Sequence, residues 1–376
     1  MNTELPPDNI YIADLHCDTI MQMQRGYDIS KRHDTYHIDI PRMIQGGINL
    51  EVFACSADPH EKDPHPFETV DAQLDVLLSE IEKNSDTVGL CRNLTDAYEL
   101  KAANKISVLL AIEGGEPLSG DLKNLEYFHS RGVRMITIAH ERSPGWCTCC
   151  QEKDPELEGL TGLGCEMIAE MNRLGIIIDL SHSSIETFRK VLEVSGAPVI
   201  ASHSCAYSLC SHARNLTDEQ IKAIAAGGGL IGVGFIHILL SPDYSKKTHA
   251  FWNSHLVEIN AITRLFTSNI PEKEKERQME KYQEIIAEHD RFVADVRPSI
   301  TDIADHIDYI VDLAGMDHVA IGSDFDGVST LPVGLEDCSC MPNLIAELLT
   351  RGYSTTDTGN IMGSNFLRVF ELIQNS

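Results

Sequence analysis

Short apolar runs rich in β-branched residues recur along the chain, and amphipathic segments with helical period separate them. The apolar runs predict eight strands, at Tyr11–Leu15, Asn49–Ala54, Ile106–Ile112, Arg134–Ala139, Gly175–Leu180, Pro198–Ser202, Gly229–Phe235 and His318–Gly322. The amphipathic segments include Thr69–Asn84, Leu122–Arg131, Gly164–Leu174, Ile185–Val194 and Asp218–Ala226. This alternation indicates βαβ units around a parallel sheet.

We expect a closed (β/α)8 TIM barrel, because polar residues end six of the strands. A doubly wound sheet would place its ligands at one switch point instead. Residues 1–376 fit one such domain, since barrels run from about 200 to more than 400 residues. The charged stretch 236–298 is too long for a simple connection and predicts a helical insertion after the seventh strand. It is either a solvated surface helix or a lid over the active site.

The composition excludes several classes of partner. The 376 residues carry a formal net charge of −27, which argues against nucleic acid and against anionic membranes. No window approaches the roughly 18 apolar residues of a spanning helix, and the N-terminal residues do not resemble a secretory signal, so we expect a cytoplasmic protein. Eleven cysteines do not suggest a disulfide framework. We interpret the cluster Cys147, Cys149 and Cys150 as reduced thiols in a loop.

The candidate metal-binding and catalytic residues lie at the ends of the predicted strands. In a parallel barrel the C-terminal ends of the strands converge on one mouth, so residues far apart in sequence meet there. Histidines and carboxylates meeting in this way favour a divalent cation, with zinc the leading candidate, and indicate a metal-dependent hydrolase. The residues are His16, Asp18, Glu113, His140, His182, His203 and Asp324.

Position suggests a function for each candidate ligand. His16 and Asp18 lie two apart on a strand, so both side chains face the mouth. Glu113 has two oxygens and can bridge two ions about 3.5–4 Å apart; Glu116 is the competing carboxylate. His182 and His203 suit a second zinc as neutral imidazoles, although either alone reads as an ordinary histidine.

Two assignments stay open on spacing alone. Asp324 can take a proton from metal-bound water and pass it to a leaving group, but Asp326 has the same parity. Arg214 is either a bidentate clamp on a substrate carboxylate or a surface arginine before a helix capped by Asn215 or Thr217. The other histidines in polar contexts we interpret as surface residues: His33, His37, His60, His65, His129, His249 and His255.

The chain resembles the renal (membrane) dipeptidase family, a branch of the amidohydrolase superfamily, over nearly its whole length. The resemblance rests on DLHCDT (14–19), AIEGG (111–115), DLSH (179–182), SHS…RN (202–215), DHIDYIVDLAGMDHVAIGSDFDGV (305–328) and GLEDCS…LIAELLTRGY (334–353). The chain differs from the usual family pattern after His140, where it reads His-Glu-Arg-Ser-Pro-Gly-Trp, and in the Cys-rich stretch 146–150.

The resemblance implies a zinc-dependent dipeptidase that hydrolyses small dipeptides through a hydroxide shared by two zinc ions. It assigns the first zinc to His16 and Asp18, the second to His182 and His203, and the bridging carboxylate to Glu113. It further implies that His140 contacts the scissile carbonyl oxygen, Arg214 the terminal carboxylate, and that Asp324 handles the proton.

Tolerance of a C-terminal D-residue and a homodimer are also properties of such relatives. The alternatives are a related amidohydrolase acting on N-acyl amino acids, cyclic amides or β-lactams, and an inactive metal-binding scaffold.

Overall fold

A closed parallel barrel organises the chain, whose computed structural model describes residues 10–57, 63–151, 159–266 and 272–376. Pairing runs in the order β2-β1-β9-β8-β7-β6-β5-β4, and β2 also pairs with β4, which closes a ring of eight strands. The predicted (β/α)8 barrel is therefore confirmed. The strands are β1 Ile12–Cys17, β2 Ile48–Ser56, β3 Val88–Cys91, β4 Ile106–Glu113, β5 Val133–Thr137, β6 Ile177–Asp179, β7 Ile200–Ala201, β8 Leu230–Val233 and β9 Val319–Ile321.

Strand β3 lies outside this ring and was missed by the sequence pattern. It pairs with the first half of β4, where Val88 faces Ile106, while β5 pairs with the second half from Leu110 onward. The strand has only four residues, one of them Gly89, so its apolar run is too short to predict.

Helices surround the barrel. Two predicted segments, α7 and α8, have the bounds expected, and the others begin or end within a few residues. The α-helices are α1 Ile20–Gln24, α2 Ile40–Gly46, α3 Pro66–Lys83, α4 Leu94–Ala102, α5 Leu122–Ser130, α6 Gly162–Leu174, α7 Ile185–Val194, α8 Asp218–Ala226, α9 His237–Leu240, α10 Pro242–Phe266, α11 Glu272–Val293, α12 Ile300–Ala314, α13 Met341–Thr350, α14 Thr355–Gly359 and α15 Asn365–Gln374. Short 3₁₀ turns lie at Glu116–Leu118, Ala294–Val296, Met316–His318 and Cys338–Cys340, and a π turn at Asn360–Ser364.

Helices α9 to α11 occupy the stretch predicted as an insertion. Buried Phe251, Ile262 and Ile285 form a small apolar cluster separate from the main core, so α10 and α11 pack largely on each other. The lid function of this stretch stays a prediction. None of the helices in the described residues is both long and apolar enough to span a bilayer.

The barrel interior and the layer under the helices form two distinct cores. Alternate residues of β2, Leu50, Val52 and Ala54, point inward, as the two-residue period of a strand requires. They share a cluster with Phe366 and Phe370 of α15 and with residues at the strand starts. Helix α15 thus covers the N-terminal end of the barrel, and the opposite end is left for the polar strand termini.

Candidate metal centre

The seven strand-end residues singled out in the sequence meet at the C-terminal mouth of the barrel. They lie on β1 (His16), just after it (Asp18), at the end of β4 (Glu113), or two or three residues beyond β5, β6, β7 and β9 (His140, His182, His203 and Asp324). Six of the side chains are buried or nearly so, and His140 is the most exposed at 17%. Glu116 lies in the following turn, outside the clusters of ligand-type side chains found in the described residues.

Glu113 lies between two groups of side chains. On the carboxylate side, defined by His16, Asp18 and Asp324, His16 Nε2 is 3.6 Å from Glu113 Oε1, 3.7 Å from Asp18 Oδ1 and 3.9 Å from Asp324 Oδ1. On the imidazole side, defined by His182 and His203, the Nε2 atoms lie 3.2 Å and 3.4 Å from the same Glu113 oxygen.

The donor set fits divalent metal ions. Two ligands about 2.1 Å from one tetrahedral zinc are separated by about 3.4 Å, which is the range of the contacts around Glu113. His16 Nε2 and Asp18 Oδ1 are buried and make no hydrogen bond to any described residue. Buried polar atoms are normally paired, so these atoms lack the partner that a cation would supply. Nitrogen and carboxylate donors suit zinc, manganese or cobalt better than calcium.

The carboxylate side concentrates negative charge. Burial opposes a charge on His16, yet the carboxylates of Glu113, Asp18 and Asp324 together raise its pKa to about 10. Burial and the adjacent Asp18 carboxylate hold the pKa of Asp324 well above its ordinary value. Three acids packed around one imidazole therefore favour a bound cation.

The imidazole side is held from behind by Asp179. This buried carboxylate accepts hydrogen bonds from the Ser202 hydroxyl (2.6 Å), the Thr137 hydroxyl (2.6 Å) and the backbone N–H groups of Ser181 and Ser202. Because Ser202 donates to Asp179, its oxygen accepts from Nδ1 of His203 at 2.7 Å. His203 thus carries its proton on Nδ1 and presents the lone pair of Nε2 to the centre.

Both imidazoles of this side are kept neutral. Burial, followed by the charge of His16, lowers the pKa of His203 to about 3, and Arg214 adds to the effect. Burial and the nearby Arg214 guanidinium hold the pKa of His182 well below its usual range. Neutral imidazole is the form that ligates metals. Asp179 was missed in the sequence, although its place at the end of β6, two residues before Ser181, marks a strand-end acid.

The backbone around the centre is constrained. Of the five non-glycine residues with positive φ in the described part of the chain, three belong here: His182 (φ 66°), Asp324 (62°) and Asp326 (68°). Such conformations cost about 1–3 kcal/mol each and concentrate at functional sites. A Cβ on Gly327 would lie 2.2 Å from Asp324 Oδ1 and 2.3 Å from Asp18 Oδ2, so only glycine allows these carboxylates to approach as they do.

The structure separates Asp324 from Asp326. Asp326 faces away from the cluster, where it accepts hydrogen bonds from Thr19 Oγ1 (2.6 Å) and the backbone N–H of His37 (2.7 Å). His37, interpreted in the sequence as a surface residue, accepts in turn from the backbone N–H of Asp326 through Nδ1. This network fixes the turn that carries Asp324, which is the carboxylate beside His16 and Asp18.

Arg214 lies beside the imidazole side and not on the surface. It is 6% exposed, and its Nη2 donates to the backbone carbonyl of His203 at 3.3 Å. The N-terminal cap of α8 is Thr217, in a capping box with Gln220. Asn215 instead ties loops together by donating to the carbonyls of Cys210 and Leu239. The alternative of a surface arginine before the helix is therefore wrong.

The cysteine cluster lies near the mouth without joining the centre. All eleven cysteines lie in the described residues and are thiols. None belongs to a cluster of ligand-type side chains detected in the described ranges. The backbone N–H of Cys150 donates to the carbonyl of His182 at 2.7 Å, which ties this loop to the imidazole side.

Comparison with known proteins shows the family to which this chain belongs. The profile of the family described as membrane dipeptidase (peptidase family M19) matches residues 7–376. The chain belongs to this family. Dipeptidase verJ of Clonostachys rogersoniana is 30% identical over 348 residues, covering 90% of this chain and 76% of the relative. Dipeptidase aclJ of Aspergillus oryzae is 31% identical, covering 90% and 70%. The chain is thus a metallodipeptidase of the membrane dipeptidase family.

Solved structures share the architecture. The probable dipeptidase PvdM from Pseudomonas aeruginosa superposes with a TM-score of 0.80 at 23% identity, covering 98% of this chain and 96% of that one, and supports the fold. A metallo peptidase from Rhodobacter sphaeroides, liganded with a phosphinate mimic of the dipeptide L-Ala-D-Ala, gives a TM-score of 0.77 at 25% identity, covering 96% and 99%.

Proposed function

We propose that this membrane dipeptidase family member is a two-zinc dipeptidase that accepts a D-residue at the C-terminal position of its substrate. The observation that carries the proposal is the position of Glu113, whose carboxylate lies within 3.7 Å of all four histidines of the mouth. His16 and Asp18 would hold the first zinc, His182 and His203 the second, and Glu113, which lies between the two groups, would take part in both sites. When bound, the two ions supply a hydroxide near neutral pH and polarise the peptide carbonyl.

The protein's own residues then orient the substrate and move the proton. Arg214, buried beside His182 and His203, binds the terminal carboxylate and fixes the direction of the dipeptide. His140 donates to the carbonyl oxygen as negative charge develops on it. Asp324 takes the proton of the attacking water and delivers it to the leaving amine, because its carboxylate lies beside His16 and Asp18, within reach of a water bound there.

Acceptance of a D-residue is supported by one solved structure. The Rhodobacter sphaeroides peptidase is liganded with a mimic of L-Ala-D-Ala, and its chain and this one share fold and length. A shared fold alone does not transfer a substrate. The stereochemistry is therefore the first property to measure.

The test is a panel of dipeptides of both stereochemistries, run with and without a chelator, together with the zinc content per chain. We expect hydrolysis of L,L and L,D dipeptides, loss of activity with chelator, and close to two zinc ions per chain. Bound zinc without hydrolysis of any of these substrates would favour an inactive metal-binding scaffold. Hydrolysis of N-acyl amino acids, cyclic amides or β-lactams in preference to every dipeptide would assign the related amidohydrolase activity instead.

A further inference from the structure

A Ser-His-Ser triplet occurs twice at the mouth, as residues 181–183 after β6 and residues 202–204 after β7. The leading serines face Asp179, which accepts from the backbone N–H of each. The trailing serines, Ser183 and Ser204, behave differently. Their backbone N–H groups are paired, with Leu180 and Gly232, but their hydroxyls are buried and meet no hydrogen-bond partner among the residues described.

Both trailing serines line a cavity of about 780 Å3, which Arg214 and His182 also line. The second guanidinium nitrogen of Arg214, Nη1, is buried and unpaired as well. In the described ranges no carboxylate lies within ion-pair distance of Arg214, whereas the side chain of the next residue, Asn215, has a hydrogen-bond partner for both its oxygen and its nitrogen. A buried guanidinium without a counter-charge is energetically costly. This side of the cavity is therefore suited to bind an anion that does not belong to the chain.

We propose that Ser183 and Ser204 complete, with Arg214, a cradle for the free C-terminal carboxylate of the substrate. This inference rests on the proposed function, in which Arg214 binds that carboxylate. Arg214 offers donors only, since a guanidinium cannot accept, and each serine hydroxyl adds an O–H donor that meets no acceptor among the described residues. A carboxylate is acceptor-only and has about four lone-pair sites, so it satisfies all of them.

The cradle makes a free C-terminal carboxylate necessary for recognition of the substrate. A carboxamide at the same place has one acceptor oxygen and two N–H donors, and any N–H group that faces the Arg214 guanidinium meets no acceptor there and leaves buried donors unpaired. Sites that hydrogen-bond a particular group reject analogues lacking it far more strongly than apolar pockets do. We expect the wild type to prefer a dipeptide over its C-terminal amide by at least about a hundredfold in kcat/KM.

Single variants Ser183→Ala and Ser204→Ala test the cradle against both substrates. Each should lower kcat/KM for the free dipeptide by about tenfold, mainly through KM, because a hydrogen bond to a charged group is removed. The dipeptide amide should be hydrolysed as slowly as by wild type, so the preference for the acid shrinks. Zinc content should not change. Ser211→Ala is the matched control, because Ser211 lines the same cavity but is exposed.

Equal losses for acid and amide would show that the serines support the neighbouring histidines, and no loss for either would show that they do not contact substrate. Both results overturn the cradle. If wild type hydrolyses no dipeptide, the proposed function fails, and the cradle is then tested by calorimetric binding of N-acetyl-D-alanine and its amide. Acid-selective binding that weakens in both variants supports it, and binding without preference for the acid refutes it.

Discussion

The carboxylate side and the imidazole side of the centre hold their ligand atoms in opposite ways. On the imidazole side, Asp179 and Ser202 fix the tautomer of His203, and burial keeps the ring neutral. On the carboxylate side, the Asp18 and Asp324 carboxylates lie next to each other, and burial together with the Asp18 charge raises the pKa of Asp324. One side is preorganised by hydrogen bonds, and the other is held by backbone conformation against repulsion.

This contrast indicates which side depends on the metal. A neutral, hydrogen-bonded imidazole is stable at neutral pH whether or not an ion is bound. Packed carboxylates are stable only when a cation or a proton offsets their charge. We therefore expect the imidazole side to keep its geometry in metal-free protein, and the carboxylate side to relax. Glu113 contacts both sides and should couple them.

Replacing Glu113 should produce the largest effect, because this carboxylate is shared by both sides. We expect Glu113→Gln to lose zinc from both positions and to lower kcat/KM by more than about a thousandfold. Zinc per chain after gel filtration, measured with kcat/KM, checks this. Glu116→Gln is the control of the same chemistry outside the cluster. Wild-type zinc content in Glu113→Gln would contradict the coupling of the two sides.

Asp324→Asn should slow the chemical step without changing zinc binding. The amide keeps the size of the side chain but cannot take a proton, so kcat should fall by about 10²–10⁴. Both zinc ions should remain, because Asp324 is proposed to handle the proton and not to hold an ion. Zinc content and kcat measured on the same preparation separate the two functions. Near-normal turnover, or loss of one zinc, would refute this assignment.

The sequence was sufficient for the barrel and for the residues that meet at its mouth. A parallel barrel brings all strand ends together, so a histidine or acid just after an apolar run is placed by topology alone. His16, Glu113 and His203 were predicted in this way, and the structure brings them within ion-pair distance. The family resemblance then implied functions that spacing left open, as for Arg214, and these stay predictions.

Features that depend on tertiary contacts could not be predicted. Asp324 and Asp326 have the same parity, and only the contacts of Asp326 with Thr19 and His37 separate them. The close approach at Gly327 involves a carboxylate about 300 residues away, Asp18, and no local pattern encodes it. Strand β3 was missed because pairing with β4, and not its own four residues, defines it.

Ser202→Ala should act on the imidazole side only. Without the hydroxyl, Nδ1 of His203 loses its acceptor and the ring is free to change tautomer. We expect zinc affinity to fall by about 10–100-fold, as is usual when the partner of a metal-binding histidine is removed. Chelator competition measures the affinity, and ¹⁵N chemical shifts of His203 in metal-free protein report the tautomer.

Thr137→Val is the matched control, since Thr137 donates to the same Asp179 carboxylate but does not touch the imidazole. It should leave the tautomer of His203 unchanged and alter zinc affinity by less than Ser202→Ala does. If the two variants weaken zinc binding equally, or if His203 in Ser202→Ala keeps its Nδ1 proton, the hydrogen-bond chain does not set the tautomer.

The smallest effect is expected at His306, which supports the loop after β7 from outside the centre. It is buried on α12, where Nδ1 accepts from the backbone N–H of Ala206 at 3.0 Å and Nε2 donates to the carbonyl of Leu240 at 3.1 Å. Burial lowers its pKa below the ordinary value of 6.5. The unfolded chain therefore binds a proton at this histidine more readily than the folded chain does. The contribution of neutral His306 to stability is complete above about pH 6.5 and decreases as the pH falls below that value.

His306→Gln can keep both hydrogen bonds but cannot titrate. Between pH 6.5 and pH 5, the free energy of unfolding of the variant should fall less steeply than that of wild type. The two slopes should differ by at most about 1.4 kcal/mol per pH unit, which is the contribution of one proton. Urea unfolding of metal-free protein at several pH values measures the slope. The buried His237 remains in the variant, and burial lowers its pKa to about 4. The dependence of unfolding free energy on pH should therefore become weaker in the variant without disappearing. If the free energies of unfolding of the two proteins change with pH in the same way, His306 contributes nothing to the pH dependence of stability.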